Sequence, residues 1–201
     1  MNSQEIRQTF IEYFDERRHF LMPSSSLVPA NDSTVLLTTA GMQQMTPYFQ
    51  GLETPPAPRL MSIQKCFRTV DIDEVGDESH LTFFEMLGNF SVGNYFKDDA
   101  IRWAWDLLTR HFGIPEERLW VSVHQNDDYS LTFWRDRIGV PEERIRRLGD
   151  EDNWWAPPGD IGPNGPDSEI HYDRGEQYGC GRPDCGPGCE HCDRFLELWN
   201  L

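Results

Sequence analysis

The sequence predicts an α+β domain in which an antiparallel β-sheet is flanked by helices. Three observations point there. The run Met61–Phe96, MSIQKCFRTVDIDEVGDESHLTFFEMLGNFSVGNYF, reads as two strands facing each other across an acidic loop. Segments on either side carry apolar residues at helical spacing. Two later stretches, Leu119–His124 and Phe195–Leu201, read as further strands. At 201 residues, a single domain is the expected organisation.

Taken in order, Asn2 and Glu5 have the form of a capping box. Ile6, Phe10, Tyr13 and Phe14 then recur at helical spacing, so a helix is expected over 3–19, ended by Pro23. SSSLVP (24–29) and Val35–Thr39 suggest short strands joined through a turn at Asn31 and Asp32. Met42–Phe49 suggests a short helix before the Pro-rich TPPAP. After the hairpin, Asp98 or Asp99 is placed to cap a helix with Ile101, Trp105, Leu108 and Phe112 on one face, and Gly113 is its stop. GIPEERL (113–119) and GVPEERI (139–145) are near copies, each a Gly stop followed by a Pro opening a new turn. Two copies are reused turn chemistry and not a solenoid. Between them Leu119–His124 alternates as a strand, and Leu131, Trp134 and Ile138 mark another helix. Residues 151–194, rich in Gly and Pro and poor in apolar residues, are expected to be loop, where function concentrates.

Composition narrows the function classes. Hydrophobic content of 38% with 12 Phe, 6 Tyr and 7 Trp suffices for a real core. No apolar run approaches the roughly 18 residues of a membrane span. MNSQEIRQTF lacks the basic start and apolar stretch of a signal peptide, so a cytoplasmic protein is expected. A net charge of −16 argues against avid, nonspecific nucleic-acid binding, because that affinity leans on phosphate neutralisation.

The chemistry-bearing residues fall in two places. Arg68 stands at the end of the first hairpin strand, and His80, Phe83, Phe84 and Glu85 open the second. These types suit a nucleotide: a guanidinium grips phosphate oxygens in a fixed fork geometry, an aromatic face stacks on a base, and a carboxylate holds a base amine or a metal. Strand alternation sends Phe83 and Phe84 to opposite faces, so at most one meets the nucleotide. The second place is a cysteine cluster, Cys180, Cys185, Cys189 and Cys192, spaced C-x4-C-x3-C-x2-C with His191 among them. In a cytoplasmic chain zinc ligation is favoured over disulfides; reduced thiols in a loop are the other reading. Cys66, in the strand before Arg68, reads as packed.

The block HLTFFEMLGNFSVGNYFK (80–97) closely resembles the hairpin of the alanyl-tRNA synthetase family, which belongs to the class II aminoacyl-tRNA synthetases. SSSLVPANDSTVLLTTAGMQQM (24–45), DNWWAPPGDIGPNGPDSEIHYD (152–173) and FLELWNL (195–201) resemble further family segments in the same order, together covering nearly the whole chain. The resemblance implies a class II catalytic core, incomplete at its C-terminus. It places a motif 1 region at about 3–49, the motif 2 hairpin at 61–96 and a Gly/Pro/Cys-rich loop at about 151–194. Motif 1 often builds a dimer interface in the class; the oligomeric state stays open.

By the same likeness, Arg68 is the motif 2 arginine that grips the ATP α-phosphate and stabilises charge in the transition state. Phe84 would stack on adenine, His80 would lie near the phosphates and Glu85 would complete the ATP-binding set. Trp155, in DNWW, would wall a small amino-acid pocket, with Asn200 and Glu169 beside it; Trp154 reads as a core residue. The implied reaction joins alanine to ATP with Mg²⁺ to give alanyl-adenylate and pyrophosphate, then transfers alanine to tRNA(Ala). A pocket for a methyl group discriminates poorly against glycine and serine, so such enzymes need a separate editing site. The principal tRNA contacts are expected outside this chain.

Departures from the family pattern are specific. The loop TVDIDEVG after Arg68 is short and acidic through Asp71, Asp73 and Glu74, and has no counterpart to the family's loop lysine. Lys65 and Lys97, the nearest lysines, do not inherit that role. Asn164 and Asp167 replace two cysteines of the usual Gly-Asp-Thr-Gly-Pro-Cys-Gly-Pro-Cys-Ser-Glu-Ile. Motif 3, the tRNA-binding domain and the editing domain are not in these residues, so weak ATP binding and little or no aminoacylation are expected of the 201 residues alone. The alternative is a non-catalytic, zinc-stabilised nucleotide-binding module.

Overall fold

The computed structural model describes all residues except 30–35, 70, 71, 74, 77–79 and 157–161. The chain divides into two compact units where the sequence suggests one domain. The first is built mainly from Met1–Tyr95, the second from Phe96–Ala156 with Asn164–Leu201. No described helix is long and apolar enough to cross a membrane.

In the first unit, α1 (Ser3–Asp15) opens on the expected capping box: the Glu5 amide donates to Asn2 Oδ1 at 2.9 Å and the Asn2 amide to Glu5 Oε2 at 2.8 Å. Its buried face is Phe10, Tyr13 and Phe14. The helix stops short of residue 19, and Pro23 is not its terminator. Arg18 takes a left-handed backbone (φ 62°), the His19 amide closes back on the Phe14 carbonyl at 3.0 Å, and the chain turns into β1 (Phe20–Met22). Residues 24–29 and 36–39 are irregular where strands were expected; Val35 and the Asn31–Asp32 turn lie outside the described residues. A 3-10 turn (Gln43–Met45) runs into α2 (Thr46–Phe49), matching the expected short helix. The hairpin forms as read: β2 (Arg59–Phe67) pairs antiparallel with β3 (Phe83–Ser91), Lys65 opposite Glu85 and Phe67 opposite Phe83. β1 joins the other edge of β2 in parallel, so this sheet is mixed.

In the second unit, α3 (Lys97–Asp106) has Phe96 as its N-cap; Asp98 and Asp99 lie inside the first turn, where they favour the positive end of the helix, and do not cap it. The helix continues as a wider turn over Leu107–His111 and stops at Gly113 (φ 71°). The two near-repeats do the same job twice. Each Gly takes a positive φ, each Glu-Glu-Arg makes a single 3-10 turn, and each delivers a strand: β4 (Leu119–His124) and β5 (Ile145–Leu148). These pair in parallel, Val121 opposite Ile145, with α4 (Asp128–Phe133) in the crossover. β6 (Trp154–Trp155) and β7 (Gly165–Pro166) form a small ribbon. Residues 151–194 are not all loop: β8 (Ser168–Asp173) lies between β4 and β9 (Phe195–Asn200), antiparallel to both. Ile101, Leu119, Val121, Trp134 and Ile170 are at the centre of this unit's core.

Candidate active site

The first unit places Arg68 one residue beyond β2, where its amide donates to the Thr82 carbonyl at 2.8 Å and extends the hairpin by one rung. Its Nε donates to the Thr39 carbonyl at 3.0 Å, and its guanidinium carbon lies 5.3 Å from the Phe84 ring centroid. Two expected nucleotide residues are thus adjacent. Thr39 is itself held: Gln43 Oε1 accepts from the Thr39 amide at 2.5 Å and the Ala40 amide at 3.0 Å. Phe83 is half-exposed on the opposite face from Phe84. The Glu85 carboxylate is already engaged, receiving Arg7 Nε at 2.5 Å, so any base or metal must share it with Arg7. His80 is partly buried at the far side of the loop, and Asp71 and Glu74 lie outside the described residues. Burial pushes the Cys66 thiol up to about 11 against the opposing field of Arg68, which makes it a packed thiol and not a nucleophile.

Beneath this surface sits a residue the sequence reading missed. Gln64 is fully buried on β2, and its Oε1 accepts from the Ser25 amide (2.8 Å) and Gln44 Nε2 (2.9 Å) while its Nε2 donates to the Lys65 carbonyl (2.8 Å). One amide therefore fastens the irregular 24–26 segment and the 3-10 turn to the hairpin.

The second unit gathers a buried polar cluster at the start of β8. Asn200 and Glu169, both expected at the amino-acid pocket, meet directly: Asn200 Nδ2 donates to Glu169 Oε1 at 3.0 Å. The same Nδ2 donates to Asp167 Oδ2 at 3.0 Å, and Asn153 Nδ2 donates to Asp167 Oδ1 at 3.0 Å. Burial pushes the Asp167 carboxyl above the usual carboxylate range, and the two amide hydrogen bonds partly oppose this. Ser122 on β4 accepts from Asn153 Nδ2 at 3.1 Å and lies 3.0 Å from His171 Nε2 and 3.3 Å from Glu169 Oε2. The Ser122 hydroxyl is fully buried and one imidazole nitrogen faces both partners, so the trio is a supporting network and not a nucleophilic triad. Trp155 is half-buried on β6, opposite Gly165. Trp154, expected in the core, is instead 41% exposed and edge-on to His124 at 5.8 Å.

The cysteines lie in the loop joining β8 to β9. That loop is closed at its base by Arg194, which donates from Nε and Nη2 to the two carboxylate oxygens of Asp173, each at 2.7 Å. Burial alone would raise the Asp173 carboxyl; the Arg194 hydrogen bonds bring it below its ordinary value. The four sulfurs lie within 4.8 Å of one another, with pairs at 3.7 Å (Cys180–Cys189), 3.6 Å (Cys185–Cys192) and 3.8 Å (Cys189–Cys192). Four thiolates about 2.3 Å from one tetrahedral ion would sit about 3.8 Å apart, so the donor set fits a zinc-sized site. Arg146 on β5 braces the loop from outside, donating from Nη2 to the Asp184 and Cys185 carbonyls, each at 3.2 Å. Gly186 makes this possible: a Cβ there would fall 2.5 Å from Arg146 Nε.

A hairpin with arginine and phenylalanine at its loop end, set on a mixed α+β frame, is the pattern of a class II synthetase. Residues 5–201 match the family model described as tRNA synthetases class II (A), and the chain belongs to that family. Over its whole length it is 56% identical to a protein of Dehalococcoides mccartyi (strain CBDB1) named alanine–tRNA ligase. It is 57% identical to one of Rubrobacter xylanophilus and 52% identical to one of Natranaerobius thermophilus, both of the same name. The chain spans only 23%, 24% and 23% of those relatives, respectively.

Proposed function

We propose that this chain provides catalytic-core residues of an alanine–tRNA ligase: ATP-dependent activation of alanine, followed by transfer to tRNA(Ala). The observation that carries the reading is identity of 56% over the entire chain to a relative of that name. Arg68 grips the α-phosphate, Phe84 stacks on adenine, and His80 and Glu85 complete the contacts. Mg²⁺, bound with the nucleotide, supplies charge neutralisation on the phosphates. Alanine is held with Trp155 as an apolar wall and Asn200 and Glu169 as the polar contacts. No side chain serves as nucleophile; the substrate carboxylate attacks, and positioning with fixed charge carries the rate.

The motif 1 region spans about 3–49 and the motif 2 hairpin 61–96, and the Gly/Pro/Cys-rich segment of about 151–194 carries β6, β7 and β8 between its loops. Cys180, Cys185, Cys189 and Cys192 hold structural zinc. With a net charge of −16 the chain offers tRNA little general attraction, and the principal tRNA contacts are assigned elsewhere.

The test is calorimetric binding of a non-hydrolysable alanyl-adenylate analogue to the 201 residues, beside alanine-dependent ATP–pyrophosphate exchange. The analogue is expected to bind more tightly than ATP, which binds weakly, with exchange and tRNA alanylation weak or absent. A folded chain that ignores the analogue at millimolar concentration would overturn the reading. Robust alanylation of tRNA would overturn the division of labour.

A further inference from the structure

We propose that Asp167 is a positioning residue for the amino-acid subsite: it holds the Asn200 amide with its carbonyl oxygen outward, so that the subsite meets its ligand with an acceptor and selects an α-ammonium. The inference rests on the reading of Asn200 as an amino-acid contact and adds a residue and a polarity to it.

The argument is hydrogen-bond accounting. An asparagine amide has two N–H donors and one carbonyl acceptor. Both donors of Asn200 are spent inward, one on Asp167 Oδ2 and one on Glu169 Oε1, each at 3.0 Å. Those carboxylates are buried while Asn200 itself is exposed on β9, so the amide bridges from the surface to two acceptors below it. Turning the amide over would set Oδ1 against two carboxylates and forfeit two charge-assisted hydrogen bonds. What remains for a ligand is Oδ1, which can only accept.

Asp167 is well placed to enforce this. Its amide donates to the Asn153 carbonyl at 3.1 Å, its other carboxylate oxygen is taken by Asn153 Nδ2, and its carbonyl receives the His124 amide at 3.3 Å. The backbone around Asn200 is equally fixed, because Ser168 and Leu201 exchange amide–carbonyl bonds of 3.2 and 2.8 Å. Two buried carboxylates behind an exposed acceptor add a field that favours a cation over an anion.

The experiment compares two analogues by calorimetry: alanine joined to adenosine through a sulfamate, and the propionyl counterpart that lacks the α-ammonium. The wild-type chain is expected to favour the alanyl compound at least about tenfold, the scale of one hydrogen bond to a charged group. In Asp167→Leu that preference should fall below about threefold while propionyl affinity stays within about twofold; Asp167→Asn, which keeps one acceptor oxygen, should lie between. Equal weakening of both compounds in folded Asp167→Leu, or an unchanged preference, overturns the proposal. Should Asp167→Leu lose its near-ultraviolet dichroism, Glu169→Gln carries the test, since it removes one of the two negative acceptors; a preference it leaves unchanged overturns the proposal too. Wild type that binds both compounds equally overturns the positioning role and leaves nucleotide binding standing. Wild type that binds neither overturns the adenylate reading and the proposal together.

Discussion

Acidification should weaken the first unit through one group, His19. This imidazole is 3% exposed, with Nδ1 3.1 Å from the Phe14 carbonyl, Nε2 3.2 Å from the Tyr95 hydroxyl and its ring edge-on to Phe14 at 4.9 Å. Burial, aided by the nearby Arg59 and Arg17, lowers its pKa from 6.5 to about 4. Between those values the unfolded chain holds a proton that the folded chain lacks, so folding must release it and acid opposes folding. The contribution is fully present above about pH 6.5 and is lost as pH falls towards 4. At about 1.4 kcal/mol per tenfold change in proton affinity, the loss is about 3 kcal/mol. All 7 tryptophans lie in the second unit, so their fluorescence follows that unit as an internal control, while the assigned ring resonances of Tyr13 and Tyr95, beside Phe14 and His19, follow the first unit in urea. In that second unit Asp173, held below its ordinary value, loses its stabilisation at lower pH still, whereas Asp152 and Asp167, raised by burial, bind protons more tightly in the fold, so acid first favours that unit and the tryptophan signal runs opposite to the His19 effect. The expected result is a tyrosine-detected loss of about 3 kcal/mol from pH 6.5 to 4, absent in His19→Gln. An imidazole proton resonance titrating near its ordinary value, or an equal slope in His19→Gln, would refute the reasoning.

Arg68→Ala should lower affinity for the adenylate analogue, and any exchange activity, by roughly 10²–10³ while thermal unfolding is nearly unchanged. Gln64→Leu should cost about 3 kcal/mol in urea unfolding, because it strands the Ser25 amide and Gln44 Nε2 beside an apolar side chain. Gly186→Ala should weaken zinc binding about 10–100-fold by displacing Arg146 from the Asp184 and Cys185 carbonyls, measured by competition with a chromophoric chelator. Chelation should raise hydrogen exchange at Trp199 and Leu201; unchanged protection there would contradict a structural role for the metal.

Legibility followed side-chain polarity. β4 alternates in sequence, the hairpin strands flank an acidic loop, and α1 announces itself through Asn2 and Glu5, so those elements are readable from sequence. β8 is not: in SEIHYD the residues turned inward include Ser168, Glu169, His171 and Asp173, all buried and polar, which defeats a reading based on apolar faces. A buried strand satisfied by hydrogen bonds looks like loop until its partners are known. For the same reason Gln64, Ser122, Asn153 and Asp167 went unread as site scaffolding. Their one sequence signal was placement within or beside strand-like runs, which apolar periodicity does not weigh. Asn200 and Glu169 were found through the family likeness, and their direct contact emerges only from the β8–β9 register. β1 is three residues beside a proline, too short for any period to show.

That register ties the cysteine loop to the Asn200–Asp167–Glu169 cluster within the second unit. β9 pairs with β8 from Asp173 opposite Phe195 to Glu169 opposite Asn200, with a shift at Ile170 and His171. The loop between the strands enters at Arg174 and leaves at Arg194, whose backbone groups bond at 2.9 Å. Any slip by one residue would turn every β9 side chain to the other face. Asn200 would then lose Asp167 and Glu169 together. Closing a loop of this length costs entropy that grows only slowly with its size, but an unclosed loop leaves the register to side-chain contacts alone. The Asp173–Arg194 pair fixes the near end of the ladder, and four thiolates on one ion would fix the loop that feeds it. The cysteine cluster thereby bears on which atom of Asn200 faces outward.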